Sequence, residues 1–101
     1  MNRRCPTATF VILSRISPEA IDDPKDFKKL AEAVSEKIKQ QCPGVTWKES
    51  YATLGRFDVV DIVEAADAKE VEKVGMIIRA LGHASTETLM ATPWKEFLAA
   101  L

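Results

Sequence analysis

The chain has 101 residues, 47% of them hydrophobic and 29% charged, with 14 Lys and Arg against 15 Asp and Glu for a formal net charge of −1. That is one domain's length, with enough apolar surface to form a core without metal or disulfide staples and too much for disorder. A charge so near zero speaks against nucleic acid or an anionic membrane as partner, and no stretch approaches the roughly 20 apolar residues of a membrane-spanning helix.

Arg3 and Arg4 followed by the apolar run Ala8 to Leu13 have the outline of a signal peptide, but the run is too short and Arg15 interrupts it. The expected location is therefore cytoplasmic. Phe10-Val11-Ile12-Leu13 instead predicts a strand over Thr7 to Arg15. Lys25 to Gln40 predicts a helix, with Phe27, Leu30, Val34 and Ile38 at helical spacing, Asp23 as N-cap and Pro24 at the first helical position. Val45 to Leu54 has the aromatic content of a strand and puts Trp47, Glu49 and Tyr51 on one side if it alternates regularly. Gly55-Arg56 suits a two-residue type II′ reversal into a third strand, Phe57 to Glu64. Asp67 with Glu70 forms a capping-box pattern for a helix over Ala68 to Leu81, whose inward stripe is Val71, Val74, Ile78 and Leu81 and whose end is Gly82. Ala84 to Ala91 predicts a Thr-rich fourth strand. Thr92-Pro93 starts a short terminal helix with Trp94, Phe97, Leu98 and Leu101 along one edge.

The order strand, helix, strand, strand, helix, strand is the ferredoxin-like βαββαβ sandwich, an α+β class fold. It places a four-stranded antiparallel or mixed sheet under two helices on one face, in a single domain spanning residues 1–101, with the short C-terminal helix appended. Right-handed crossovers are expected to put strands one and three side by side and parallel at the centre, flanked by strands two and four. Both central runs carry apolar side chains on both faces, Val59-Val60 and Ile62-Val63 in one and Phe10 to Leu13 in the other. A sheet with water behind it should alternate cleanly, so something must cover the second face. The economical cover is the same face of a second subunit, giving a homodimer or higher homo-oligomer.

Leu54-Gly55-Arg56-Phe57-Asp58-Val59-Val60 followed by Ile62-Val63-Glu64-Ala65 resembles the signature of the GYD domain family, named for a Gly-Tyr-Asp motif. Phe10 to Ala20 and Thr86-Glu87-Thr88-Leu89 are similar to that family as well, so the likeness spans nearly the whole chain. The resemblance implies a small ferredoxin-like protein of the dimeric α/β-barrel type and no particular activity. The chain departs from the motif with Arg56-Phe57 in place of Tyr, which removes any role resting on a phenol hydroxyl there. Asp61 is a second departure, since a small apolar residue is the expected occupant.

Asp61 is the most conspicuous candidate, because a charge in a central strand is costly unless paired or wet. A salt bridge at the subunit interface, with Arg15 or Lys48 as partner, is the first reading, and a pocket carboxylate of raised pKa the second. Trp47 and Tyr51 read as interface or core packing, or as the wall of an aromatic cleft. His83 reads as a surface residue at the negative end of a helix dipole. Together Asp61, His83, Tyr51 and Trp47 are the candidate catalytic side chains. Arg56, Asp58 and Glu87 are candidates for ligand binding, although Asp58 equally suits a backbone-capping role where its strand begins. No ligand spacing for a metal is present and no cofactor motif is found. Cys5 and Cys42 read as plain thiols, both placed by the topology at one end of the molecule, where a disulfide would demand close alignment.

Two functions follow. The first is a non-enzymatic module that binds a small molecule or a protein. The second is a cofactor-independent dimeric enzyme, monooxygenase-like or isomerase-like, which requires at least two of Trp47, Tyr51, Asp61 and His83 to converge in a substrate-sized pocket.

Overall fold

A computed structural model describes residues 7–18 and 22–101. Arg3, Arg4 and Cys5 lie outside the described residues, as do Glu19 and Ala20. The chain runs β1 (Ala8–Ile16), α1 (Pro24–Gln41), β2 (Val45–Ala52), β3 (Val59–Ala65), α2 (Ala68–Gly82), β4 (Ala84–Ala91) and α3 (Trp94–Ala99). Sheet order is β2-β3-β1-β4, the ferredoxin-like βαββαβ arrangement with an added terminal helix. The sheet is open, with β2 and β4 at its edges.

All three strand pairs are antiparallel, including β1 with β3, in place of the parallel pairing expected from the crossovers. The cause is the path of the chain. The β1–α1–β2 crossover returns β2 in the direction of β1 but one strand position away, and the hairpin then folds β3 backwards into the gap.

The helix starts follow their caps. Asp23 Oδ1 accepts from the Lys25 amide and Asp67 Oδ1 from the Lys69 amide, both at 2.9 Å, and Pro24 occupies the first turn of α1. The capping box at α2 is only half formed. Glu70 Oε2 turns to Lys73 Nζ at 3.4 Å instead of reaching back to Asp67, and Glu70 Oε1 is buried without a partner. At the other end Gly82 remains helical and packs near Val34 and Ile78. His83, at φ 51°, takes the left-handed position expected of the glycine, and its carbonyl accepts from the Ser17 amide at 3.0 Å. Gly82 thereby replaces Leu81 on the buried stripe, and Leu81 is exposed.

The core joins Phe10, Ile12, Val63 and Ala65 of the sheet to Val71, Val74 and Ile78 of α2 and to Ile38 and Cys42 at the end of α1. The two long helices sit differently. α2 lies close on β1, β3 and β4, helped by Gly75, where a Cβ would come within 3.6 Å of Thr86 Oγ1. α1 packs along α2 and stands off from the sheet. Its apolar stripe is half-buried at Phe27, Leu30 and Val34 and fully buried only at Ile38.

The opposite face of the sheet has no helix. Val11 pairs with Ile62 and Leu89, and Leu13 with Val60, which sets these side chains together on that face. On α3, Trp94, Phe97 and Leu98 are exposed, as is Leu101 just beyond it, and the Trp94 and Phe97 rings lie 5.8 Å apart. No helix of the described residues is long and apolar enough to cross a membrane.

Candidate functional site

The gap under α1 is a cavity of about 440 Å³, within the size range of small-molecule sites. Its roof is the α1 stripe of Phe27, Leu30, Val34 and Ile38. Its floor carries four polar or aromatic groups, Ser14 on β1, Trp47 and Ser50 on β2, and Asp61 on β3.

Strand alternation and one irregularity bring these groups together. On β1 the helix-facing positions are Phe10, Ile12, Ser14 and Ile16, so Ser14 stands where an apolar residue would continue the core. It is only 4% exposed, and its hydroxyl has no hydrogen-bond partner. On β2 a bulge between Trp47 and Glu49 shifts the register by one. Trp47 pairs with Val63 and Ser50 with Asp61, both on the helix side, whereas Glu49 and Tyr51 pair with Ile62 and Val60 on the open side. The regular alternation that put Trp47, Glu49 and Tyr51 on one side therefore does not hold. Lys48 is the extra residue that reverses the phase.

Asp61 is 6% exposed and faces the helices, not the open face. Neither Arg15 nor Lys48 pairs with it; among the described residues the recorded ion pair is Lys73 with Glu70. A short chain of hydrogen bonds serves it instead. Trp47 Nε1 donates to Ser50 Oγ at 2.7 Å, and Ser50 Oγ donates to Asp61 Oδ1 at 2.6 Å. Burial raises the Asp61 pKa above the ordinary carboxylate value, while the hydrogen bonds from Ser50 and Trp47 pull the other way. Cys42 also borders the cavity as a buried free thiol, its pKa raised chiefly by burial.

The remaining candidates lie elsewhere. Tyr51 touches the cavity rim, but its hydroxyl donates to Glu49 Oε1 at 2.9 Å, and that bond together with the Glu49 charge raises its pKa. His83 lines a separate, shallower depression with Arg15, Arg56, Asp58 and Arg79. There Asp58 Oδ2 accepts from the Ile16 amide at 2.8 Å, which ties the β2–β3 connection to the end of β1. That connection spans residues 53–58, longer than a two-residue turn, and is pinned by Thr53 N–H to Asp58 O at 3.0 Å and Thr53 Oγ1 to Phe57 O at 2.7 Å. Gly55 does take the positive φ, 111°, that only glycine adopts freely. The Arg56 guanidinium sits 5.9 Å from the Phe57 ring centre and does not pair with Asp58. Glu87 pairs with Leu13 on the open face, exposed and away from both depressions.

The pocket thus gathers Trp47 and Asp61 from the candidate set and leaves Tyr51 at the rim and His83 outside. Sequence reasoning missed Ser14 and Ser50. The position of Ser14 in a run of core-facing apolar residues is a readable signal, whereas Ser50 becomes visible only once the bulge is known.

The fold and the cavity define a small open-sheet domain of the ferredoxin-like class, with its recess between one helix and the sheet. The chain belongs to the GYD domain family, whose profile matches residues 10–101. A relative from Thermus thermophilus, the "glutamine synthetase and cystathionine beta-lyase binding protein", is 29% identical over 93 residues, covering 92% of this chain and 97% of its own. Among solved structures, the leucine response regulatory protein LrpA of Mycobacterium tuberculosis aligns with a TM-score of 0.58 at 16% identity. That alignment covers 85% of this chain and spans about half of LrpA, 51%. The de novo designed protein Foldit4 aligns with a TM-score of 0.55 at 16% identity, over 87% of this chain and 99% of its own. Both structural likenesses concern the fold alone.

Proposed function

We propose that this chain is a non-enzymatic binding subunit that assembles as a homodimer through its open sheet face and docks on another protein, an enzyme of amino-acid metabolism. The observation that carries the reading is the open face itself. Val11, Leu13, Val60 and Ile62 lie there in register with no helix over them, and Leu89 extends the patch to β4. A patch of this kind on a monomer marks an interaction surface. A self-complementary sheet face satisfies it by two-fold pairing at the spacing of packed sheets, ~10 Å. The relative along the full chain length supports the second half of the reading, since its name records binding to two enzymes. The exposed apolar edge of α3 is a surface of the right character to meet such a partner.

The test is binding of the purified chain to the glutamine synthetase and the cystathionine beta-lyase of its own organism, measured by biolayer interferometry alongside its oligomeric state by light scattering. A dimer that binds either enzyme, and loses that binding in Trp94→Ala with Phe97→Ala, supports the reading. A monomer that binds neither contradicts it.

A second reading, a cofactor-independent enzyme, draws on the convergence of Trp47 and Asp61 in the cavity. It lacks a histidine there, because His83 lies in the other depression.

A further inference from the structure

The cavity under α1 has a charge arrangement that the protein leaves unfinished. Asp61 is nearly enclosed, and one of its oxygens, Oδ1, is occupied by Ser50. The carboxylate has no ion pair among the described residues, and Lys39, the cation that borders the cavity, forms none with it. On the adjacent strand Ser14 is a second buried polar group with an unpartnered hydroxyl. Ser14 pairs with Val59 and Asp61 with Ile12, so the two stand diagonally across the β1–β3 ladder on the same, helix-facing side. Diagonal positions of an antiparallel pair are roughly 7–8 Å apart, a separation that one atom hydrogen-bonded to both side chains can bridge. Above them the lining is mainly apolar, from Phe27 and Leu30 at one end to Ile38 and Ile78, with Ser35 and Lys39 of α1 also bordering it.

We propose that this cavity binds a small primary amine with an apolar body, its ammonium group held between the Asp61 carboxylate and the Ser14 hydroxyl. A primary ammonium has three N–H donors and no acceptor. It therefore matches two acceptors facing a mainly apolar space, and it supplies the countercharge that a buried carboxylate requires. Trp47 on the floor adds an aromatic ring, the surface that best tolerates a nearby cation. The Trp47–Ser50–Asp61 hydrogen-bond chain fixes the carboxylate before the ligand arrives, which reduces the ordering needed on binding. The half-buried stripe of α1 receives the apolar body. Burial raises the Asp61 pKa, and an ammonium group beside the carboxylate would offset that by favouring its charged form.

The test is isothermal titration of the full chain at pH 7 with 2-phenylethylamine and with its neutral counterpart 2-phenylethanol. The amine is expected to bind at least about tenfold more tightly than the alcohol, a margin typical of a charge-assisted contact over a neutral one. Asp61→Asn preserves shape and the Ser50 contact, and it should abolish that preference while the protein stays folded by circular dichroism. Ser14→Ala should weaken the amine alone, and provides an independent reading should the Asp61 variant fold poorly. Leu30→Trp fills the space and should weaken both probes. Equal binding of amine and alcohol, no amine binding in the millimolar range, or an amine preference that survives Asp61→Asn would each overturn the assignment.

Discussion

The Ser50 hydroxyl donates to Asp61 Oδ1 at 2.6 Å across the β2–β3 ladder, inside the space between α1 and the sheet. This contact orients a carboxylate that pairs with no cation among the described residues, and it exists because the bulge at Lys48 turns Ser50 to the helix side. Burial is the largest influence on Asp61, so its folded pKa lies above the unfolded value. A raised carboxylate pKa favours the folded state while the group is protonated, and that favour is lost as pH rises from the unfolded value near 3.9 through the folded one. Asp61→Asn should therefore raise Tm at pH 7, and the gain over wild type should shrink as pH falls through the raised folded value and be gone below about 4. Thermal melts from pH 3 to 8 check this. A variant less stable than wild type at pH 7 would contradict it.

Asp58 works at the end of β1. Its Oδ2 takes the Ile16 amide at 2.8 Å, and its own amide donates to the Ser14 carbonyl at 2.8 Å. Asp58→Ala keeps the second bond and loses the first, leaving a partly buried amide without its acceptor. The expected cost is about 1–3 kcal/mol by urea denaturation, the usual range for stranding a buried polar group.

His83 holds a left-handed backbone that costs an L-residue roughly 1–2 kcal/mol over glycine. His83→Gly should stabilise the protein by up to about 1 kcal/mol, the remainder being offset by the greater freedom of an unfolded glycine. Its side chain is exposed, so no packing is lost. A lower Tm in the variant would show that the imidazole holds something in the second depression.

The fold was legible because its signals are local. Asp23-Pro24 and Asp67 start helices, the stripes from Phe27 to Ile38 and from Val71 to Ile78 give their faces, and Phe10 to Leu13 and Val59 to Val63 read as central strands. What failed depends on relationships that single positions do not carry. The relative direction of β1 and β3 is set by the whole chain path. The bulge at Lys48 has no residue signature of its own, and its trace is that apolar or inward residues fall at odd positions Val45 and Trp47 and then at even positions Ser50 and Ala52. Asp61 stood out as a misplaced charge, but reading its partner as a cation across an interface assumed the wrong face of the sheet. The stand-off of α1 was equally hidden, since an amphipathic stripe looks the same whether it seals a core or lines a recess.

Pairing of the open sheet face with a second copy is tested most directly by native mass spectrometry of the wild-type chain beside Ile62→Asp. Ile62 lies on the uncovered face and outside the core, so the charge should leave the single chain folded while placing two unpaired carboxylates inside a paired interface. The predicted result is twice the chain mass for wild type and the single chain mass for a folded variant. A wild-type protein that runs as a monomer, or a variant that dimerises unchanged, would contradict the claim.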